Sequence, residues 1–245
     1  AHRVPEVIDV WYDSGAMPFA QHHYPFAGED VLDGRFPADY ICEAQDQTRG
    51  WFYSLHAEAT MLFDEVAYRN VVCLGLILDG DGQKMSKTRG NVIEPWTVLE
   101  RFGADPFRWY LLTAQQAGES FRVSLDAIEE AMRRFLLTLW NTYAFLVTYA
   151  SLPDGWSPQI DAPAPAERPA IDRWALARLD DTVAEVTRGL DEYRFNDATA
   201  AVYQFVWHEF CDWYLEMIKP VLSPGAGEVE RQVQRAVLLQ VYETI

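Results

Sequence analysis

The chain of 245 residues reads as an α/β region followed by an all-helical one, and three observations predict this. In the first half, apolar strand-like runs at Asp39–Ala44 and Asn70–Leu78 alternate with helix-like runs at Thr48–Phe63, Pro95–Phe102 and Pro106–Ala114. That alternation is the pattern of a parallel sheet with crossover helices. In the last third, apolar positions recur at helical spacing only. Between the two, the stretch from Pro153 to Pro169 carries prolines at 153, 158, 163, 165 and 169, the composition of a linker or a long surface connection.

Each element has its own signal. Val71 to Leu78 is an unbroken β-type run, read as a buried central strand, and Asp79-Gly80-Asp81-Gly82 ends it with a strong turn sequence. Gly90-Asn91 follows a short polar loop, and Pro95 suits the first turn of the next helix. A longer helix is expected from about Leu125 to Tyr149. Beyond the proline-rich stretch, Asp172 to Leu190 repeats Trp174, Leu176, Leu179, Val183 and Val186 as an apolar stripe. Asn196 is a plausible N-cap for a second helix ending near Ile218, where Lys219-Pro220 stops it. Glu228 to Ile245 gives a third helix.

Composition excludes several classes. With 49% apolar, 23% charged and 14% aromatic residues the chain is globular, and no apolar stretch approaches the eighteen or so residues of a membrane span. Cys42, Cys73 and Cys211 are dispersed and odd in number, without zinc spacing; they suit a reducing cytosol and are read as small buried apolar residues. The nine tryptophans are expected mostly in cores. A formal charge of −17, spread over both halves, argues on its own against a nucleic-acid binder. The first residues, Ala-His-Arg-Val-Pro-Glu, are neither a signal peptide nor a methionine start, so the chain is expected to be cut from a longer one.

Against seventeen arginines stand only three lysines, and two of them fall in Lys84-Met85-Ser86-Lys87-Thr88. Lysine is a compact point charge on a flexible stem, where arginine is a planar fork. Two lysines beside a serine, on a loop after a strand with glycines on both sides, can hold a polyphosphate; ligands of open α/β sheets sit outside the carboxyl ends of strands. A solvated turn is the plain alternative. A Walker P-loop is excluded by spacing.

Three blocks carry a resemblance. Lys84-Met85-Ser86-Lys87-Thr88 continued by Arg89-Gly90-Asn91-Val92-Ile93-Glu94-Pro95 resembles the KMSKS signature loop of class I aminoacyl-tRNA synthetases. The run from Phe36 through Glu43-Ala44-Gln45-Asp46-Gln47-Thr48-Arg49-Gly50-Trp51-Phe52-Tyr53 resembles the strand-to-helix segment of isoleucyl-tRNA synthetases. Asp9-Val10-Trp11-Tyr12-Asp13-Ser14-Gly15-Ala16-Met17-Pro18 resembles the segment where that family's chain returns from its inserted editing domain. The resemblance implies the C-terminal half of a Rossmann-like catalytic core with connecting helices over 1–150, a linker over 151–169, and the start of an all-α anticodon-binding bundle over 170–245. The HxGH signature is absent from this sequence, and His22-His23 does not supply it; the resemblance therefore implies that the N-terminal catalytic half and the editing domain lie outside this chain, which alone is expected to lack full activity. Tyr193-Arg194-Phe195-Asn196 and Phe205 to Tyr214 are closer to the valyl branch.

By the same resemblance, the activity implied is activation of isoleucine with ATP and transfer to tRNA(Ile) in the cytoplasm, with magnesium accompanying the nucleotide, no protein metal site and no membrane. Lys84, Ser86 and Lys87 are the implied catalytic residues, Lys87 meeting ATP. Glu43, Asp46 and Gln47 are implied contacts of the aminoacyl-adenylate, and Trp51 a wall of the amino-acid pocket. Ala44 departs from the glycine usual after the glutamate. Simple readings stand beside these: Asp46 as a helix cap, Trp51 packing with Leu55 and Ala59 on one helical face, and Arg49 pairing with an acid. The Arg133-Arg134 pair is read as a solvated helix face rather than a tRNA contact. A valyl enzyme segment, or a tRNA-binding module without chemistry, are the alternatives.

Overall fold

Ala38–Ala44 (β1) and Tyr68–Leu74 (β2) are β-branched and aromatic enough to extend, and they pair in parallel with Ala38 opposite Tyr68 and Ala44 opposite Leu74. The computed structural model describes residues 2–7, 9–27, 32, 34–114, 116–150, 154–222, 225 and 227–245. Its contacts group into two units, Ala1–Leu78 with Ala117–Phe121, and Asp79–Gln116 with Arg122–Ile245. Pro153, the first proline of the expected linker, lies outside the described residues.

In the first unit, Val10–Gly15 (α1) and Met17–Ala20 (α2) precede β1, and Trp51–Phe63 (α3) joins β1 to β2. Asp9 caps α1, its Oδ1 accepting from Trp11 N–H at 2.7 Å. Phe52, Leu55 and Ala59 of α3 pack on Ile41 of β1 and on Ala67, making the unit's core. Each strand is covered at one position only: Ile41 is the sole buried residue of β1 and Val72 of β2, and the register, which pairs Ile41 with Val71 and Cys42 with Val72, puts the two on opposite faces. The expectation of a buried central strand is therefore corrected. Val71 and Leu74 are more than two-fifths exposed, because a strand is buried on both faces only when two layers sandwich it.

The expected strand over 70–78 is also broken, into β2 and Ile77–Leu78 (β3). Backbone of the returning segment 117–121 docks at the break. Ser120 Oγ accepts from Leu76 N–H at 3.1 Å, and Phe121 N–H donates to the Leu76 carbonyl at 3.1 Å. A Cβ on Gly75 would lie 2.1 Å from the Glu119 carbonyl oxygen, closer than any side chain tolerates. Gly75→Ala is expected to cost about 1–3 kcal/mol through this overpacking; an unchanged midpoint in urea unfolding would refute the close approach.

The second unit is helical. Pro95–Phe102 (α4) begins with its proline in the first turn, and Ala104–Thr113 (α5) starts two residues before the expected Pro106. After the two-residue strand Phe121–Arg122 (β4), Ser124 caps Leu125–Ala131 (α6), which runs through a wider π-helical stretch, Met132–Leu136, into Leu137–Tyr149 (α7). Pro158–Asp161 (α8) is one turn within the proline-rich stretch, and Pro165–Glu167 forms a 3₁₀ turn. Then come Ala170–Asp191 (α9), Phe195–Tyr203 (α10), a π-helical stretch Gln204–Leu215, Glu216–Leu222 (α11) and Glu228–Thr244 (α12). Leu176, Leu179, Phe205, Phe210, Val237 and Val241 lie at the centre of the shared core.

Three expectations for this unit change. Arg194, not Asn196, is the N-cap of α10, and Asn196 sits in its first turn. Pro220 lies inside α11 rather than stopping it; close to the helix end it removes one backbone donor and the helix finishes two residues later. The buried stripe of α9 is Asp172, Ala175, Leu176, Leu179 and Thr182, while Trp174 and Val183 are 36% and 43% exposed. Two of the buried members, Asp172 and Thr182, are polar, and apolar periodicity does not register them.

Asp172, Tyr214 and Gln234 form a closed ring in this core, at 0%, 1% and 3% exposure. Tyr214 Oη lies 2.7 Å from Asp172 Oδ1 and 2.7 Å from Gln234 Oε1, and Gln234 Nε2 lies 3.2 Å from Asp172 Oδ2. Three contacts need three protons. The phenol brings one and the amide one, whichever way the amide is turned, so the carboxyl must bring the third. Burial raises the Asp172 pKa, in the direction this requires, and pushes the Tyr214 phenol well above its ordinary value.

The tryptophans and cysteines also depart from expectation. Trp11, Trp96, Trp140, Trp174 and Trp213 are all exposed by a third or more. Cys42 is exposed, and Cys73 and Cys211 are partly buried; burial pushes the Cys211 thiol up to about 12, which makes it inert. No helix among the described residues is long and apolar enough to cross a membrane.

Candidate functional site

The expected site residues fall in two groups, one in each unit. In the first unit, β1 delivers Glu43 at its last-but-one position, and the chain then turns through a 3₁₀ stretch, Gln45–Arg49, into α3. Asp46 and Gln47 are on that turn, and Trp51 is the first residue of α3.

Glu43 and Asp46 are exposed. The strand is open at Glu43, so its carboxylate stays in solvent and needs no buried partner. Asp46 does not cap the helix. Gln47 performs that function: its Oε1 accepts from Trp51 N–H at 3.0 Å, satisfying one of the donors a helix start leaves open. The turn needs Gly50, where a Cβ would meet Gln47 Oε1 at 2.7 Å and the Trp11 ring at 3.2 Å.

Trp51 has a packing role and a polar one. Its ring lies against the core of α3 and β1, and its indole N–H donates to the Ser14 carbonyl at 3.0 Å. The Asp9–Pro18 block is thereby tied to the Glu43–Trp51 block. Beside it, Gly15 lies so close to α3 that a Cβ would sit 2.2 Å from Glu58 Oε1. Glu58 is buried, and burial followed by the nearby Asp13 charge raises its pKa. Trp51 also lines a cavity of about 210 Å³ with Met17, Pro18, Phe36, Ile41 and Leu55. His22 borders the cavity, His23 is a loop residue and His56 is exposed on α3.

In the second unit, the lysine run sits between two left-handed glycines, Gly82 at φ 80° and Gly90 at φ 69°. Lys84 and Lys87 are exposed, while Met85 and Ser86 are partly buried. Ser86 caps a 3₁₀ turn, Lys87–Arg89, its Oγ accepting from Arg89 N–H at 3.2 Å. Ser86 thus has a structural hydrogen bond that its place in the motif did not reveal. Lys84 and Lys87 extend their exposed side chains from a loop whose backbone is hydrogen-bonded at Ser86 and Arg89, an arrangement fit to meet an anionic group.

Arg133 and Arg134 pair with Glu129 and Glu130 on their own helix, each at 2.5 Å, as a solvated face would. No cluster of three metal-ligating side chains occurs among the described residues.

The chain is similar to known proteins throughout. Residues 1–124 match the family described as tRNA synthetases class I (I, L, M and V), and residues 172–245 match the anticodon-binding domain of tRNA ligase. The isoleucine–tRNA ligase of Thermus thermophilus is 46% identical over 240 residues, covering 97% of this chain and 23% of its own length. That of Dehalococcoides mccartyi is 52% identical over 216 residues, with 87% and 21% covered. The chain thus spans under a quarter of these relatives. Among solved structures, methionyl-tRNA synthetase from Mycobacterium tuberculosis with methionyl-adenylate matches at a TM-score of 0.78 and 22% identity, over 99% of this chain and 47% of that one. A leucyl enzyme from Agrobacterium radiobacter, in a ternary complex with tRNA, matches at 0.76 and 20%, covering 98% and 30%. At such identities the likeness shows the fold: part of a Rossmann-like core followed by a helical domain.

Proposed function

This chain belongs to the class I tRNA synthetases of the isoleucine, leucine, methionine and valine group, and from that premise we propose that it is a segment of an isoleucine–tRNA ligase. The observation that carries the amino-acid assignment is the 46% and 52% identity to isoleucine–tRNA ligases over nearly the whole chain. Residues 1–150 supply part of the catalytic core, 151–169 a connection, and 170–245 the start of the anticodon-binding helices.

The reaction has two steps. A carboxylate oxygen of isoleucine attacks the α-phosphorus of ATP, the bond to the β-phosphate breaks, and pyrophosphate leaves with the electron pair. A ribose hydroxyl at the end of tRNA(Ile) then attacks the carbonyl carbon of the adenylate and releases AMP. In the first step Lys87, with Lys84 and Ser86, stabilises charge growing on the leaving phosphates. Glu43, Asp46 and Gln47 meet the adenylate and the ammonium of the amino acid, and Trp51 bounds the side-chain pocket. The exposure of Glu43 and Asp46 supports this reading, since groups that must reach a ligand cannot be consumed by the core, and half-buried Trp51 also lines the cavity beside α3. Magnesium held by the nucleotide's own phosphates would supply further neutralisation of their charge. Three free thiols fit a cytoplasmic, reducing setting.

ATP–pyrophosphate exchange by the full-length protein tests the assignment. Isoleucine is expected to support exchange with a higher kcat/KM than valine; the reverse order would transfer the assignment to the valyl branch and leave the family unchanged.

A further inference from the structure

The lysine run is closed at its base by two side chains outside the motif's lysines and serine. Asp79 and Asn91, twelve residues apart, flank it and meet through Asn91 Nδ2 and Asp79 Oδ2 at 2.7 Å. Each has its other polar atom engaged on the loop backbone. Asp79 Oδ1 accepts from Gln83 N–H at 2.7 Å and from Asp81 N–H at 3.1 Å. Asn91 Oδ1 accepts from Ser86 N–H at 2.9 Å, and its Nδ2 also reaches the Lys84 carbonyl at 3.3 Å. The backbone of Lys84 and Ser86 is therefore held directly by Asn91, and Asn91 is held by Asp79.

We propose that the Asp79–Asn91 pair is a latch that sets the backbone of residues 84–89 and so positions the two lysine ammoniums. Both are positioning residues: neither carries the charge that meets the phosphates. The loop has little apolar anchorage, with Met85 its one large apolar side chain, so this polar clasp supplies the order that a hydrophobic core supplies elsewhere. The effect on catalysis rests on the phosphate-binding role of the loop proposed above; the effect on loop order does not.

The donor and acceptor pattern dictates a distinctive test. Asp79→Asn puts an amide where Asn91 needs an acceptor, since its own oxygen is claimed by Gln83 and Asp81. Asn91→Asp sets a second carboxylate against Asp79. The double exchange, Asp79→Asn with Asn91→Asp, reverses the direction of the bond but keeps it, and the new carboxylate still accepts from Ser86 N–H, while the Lys84 carbonyl loses its weaker donor at 3.3 Å. Amide hydrogen exchange of residues 84–89 in the full-length protein is expected to speed up about tenfold or more in each single variant, as the loss of one or two hydrogen bonds predicts. In the double variant it is expected to fall back below both single variants toward the original rate, short of it by the lost contact to the Lys84 carbonyl. In ATP–pyrophosphate exchange the single variants should lower kcat with little change in KM for isoleucine, and the double should recover. Single variants whose loop amides exchange like the original, or a double variant no better than the singles, overturn the latch. A loop that loosens and recovers as described while Lys87→Ala leaves activity intact keeps the latch and rejects the catalytic role of the loop instead.

Discussion

Lys87→Ala in the full-length protein is expected to slow isoleucine-dependent ATP–pyrophosphate exchange by roughly a hundredfold to a thousandfold, with isoleucine binding nearly unchanged. Lys87 is exposed on a loop with defined backbone, and in the proposed reaction an ammonium there acts on charge that develops only as pyrophosphate leaves. Removing one such contact costs about 3–4 kcal/mol of transition-state stabilisation. Lys87→Arg should restore only part of the rate, because a planar fork does not follow point-charge geometry. Glu43→Ala and Trp51→Ala, in the other unit, should act on the amino-acid and adenylate end and raise KM for isoleucine. Wild-type exchange by Lys87→Ala would reduce the loop to an ordinary turn.

The second large effect is expected at Asp172, far from the lysine run in sequence. Asp172→Ala strands the Tyr214 hydroxyl and the Gln234 amide in the core and should cost about 2–4 kcal/mol. Asp172→Asn should cost little, because an amide N–H takes the place of the carboxyl proton and an amide oxygen still faces Gln234. The two also differ in pH dependence. Burial raises the folded-state pKa of Asp172, against smaller opposing effects of Tyr214, Gln234 and the Arg168 charge that faces it. The folded protein therefore holds this proton more tightly than the unfolded chain, where the pKa is about 3.9. As pH rises from that value through the raised one, the unfolded chain has released the proton and the folded one has not, so stability falls. Asparagine has no proton to lose. The stability of Asp172→Asn relative to wild type should thus increase with pH over this window, as followed by urea unfolding at several pH values. A relative stability that decreases instead would mean that the buried group is a stabilising carboxylate.

The site was partly legible. Lys84, Ser86 and Lys87 announce themselves because the lysines are rare in this chain and sit after a turn sequence that only a loop tolerates. Glu43 is a candidate through the resemblance alone, and its exposure could not be read from the strand, since burial of a strand depends on what covers it and not on its own residues. Gln47 was expected to meet ligand only, and its capping bond to Trp51 was missed because glutamine is not a usual capping residue. Asp79 and Asn91 were read as turn residues. Their spacing hides a side-chain bond that exists only once the intervening loop has folded back on itself.

What the sequence determined by itself is local. The Asp79–Gly82 turn, the helix opened by Pro95, the start of the long helix near Leu125 and the helical periodicity beyond residue 170 depend on contacts within about ten residues, so residue type and spacing suffice. The tertiary structure alone decided which faces are buried. It broke the 70–78 run at Gly75 because a segment more than forty residues later packs its backbone there. It shifted the buried stripe of α9 onto Asp172 because partners 42 and 62 residues away supply its hydrogen bonds. A polar side chain can be buried once its partners are buried with it, and the identity of those partners is fixed by the packing of helices that are distant along the chain.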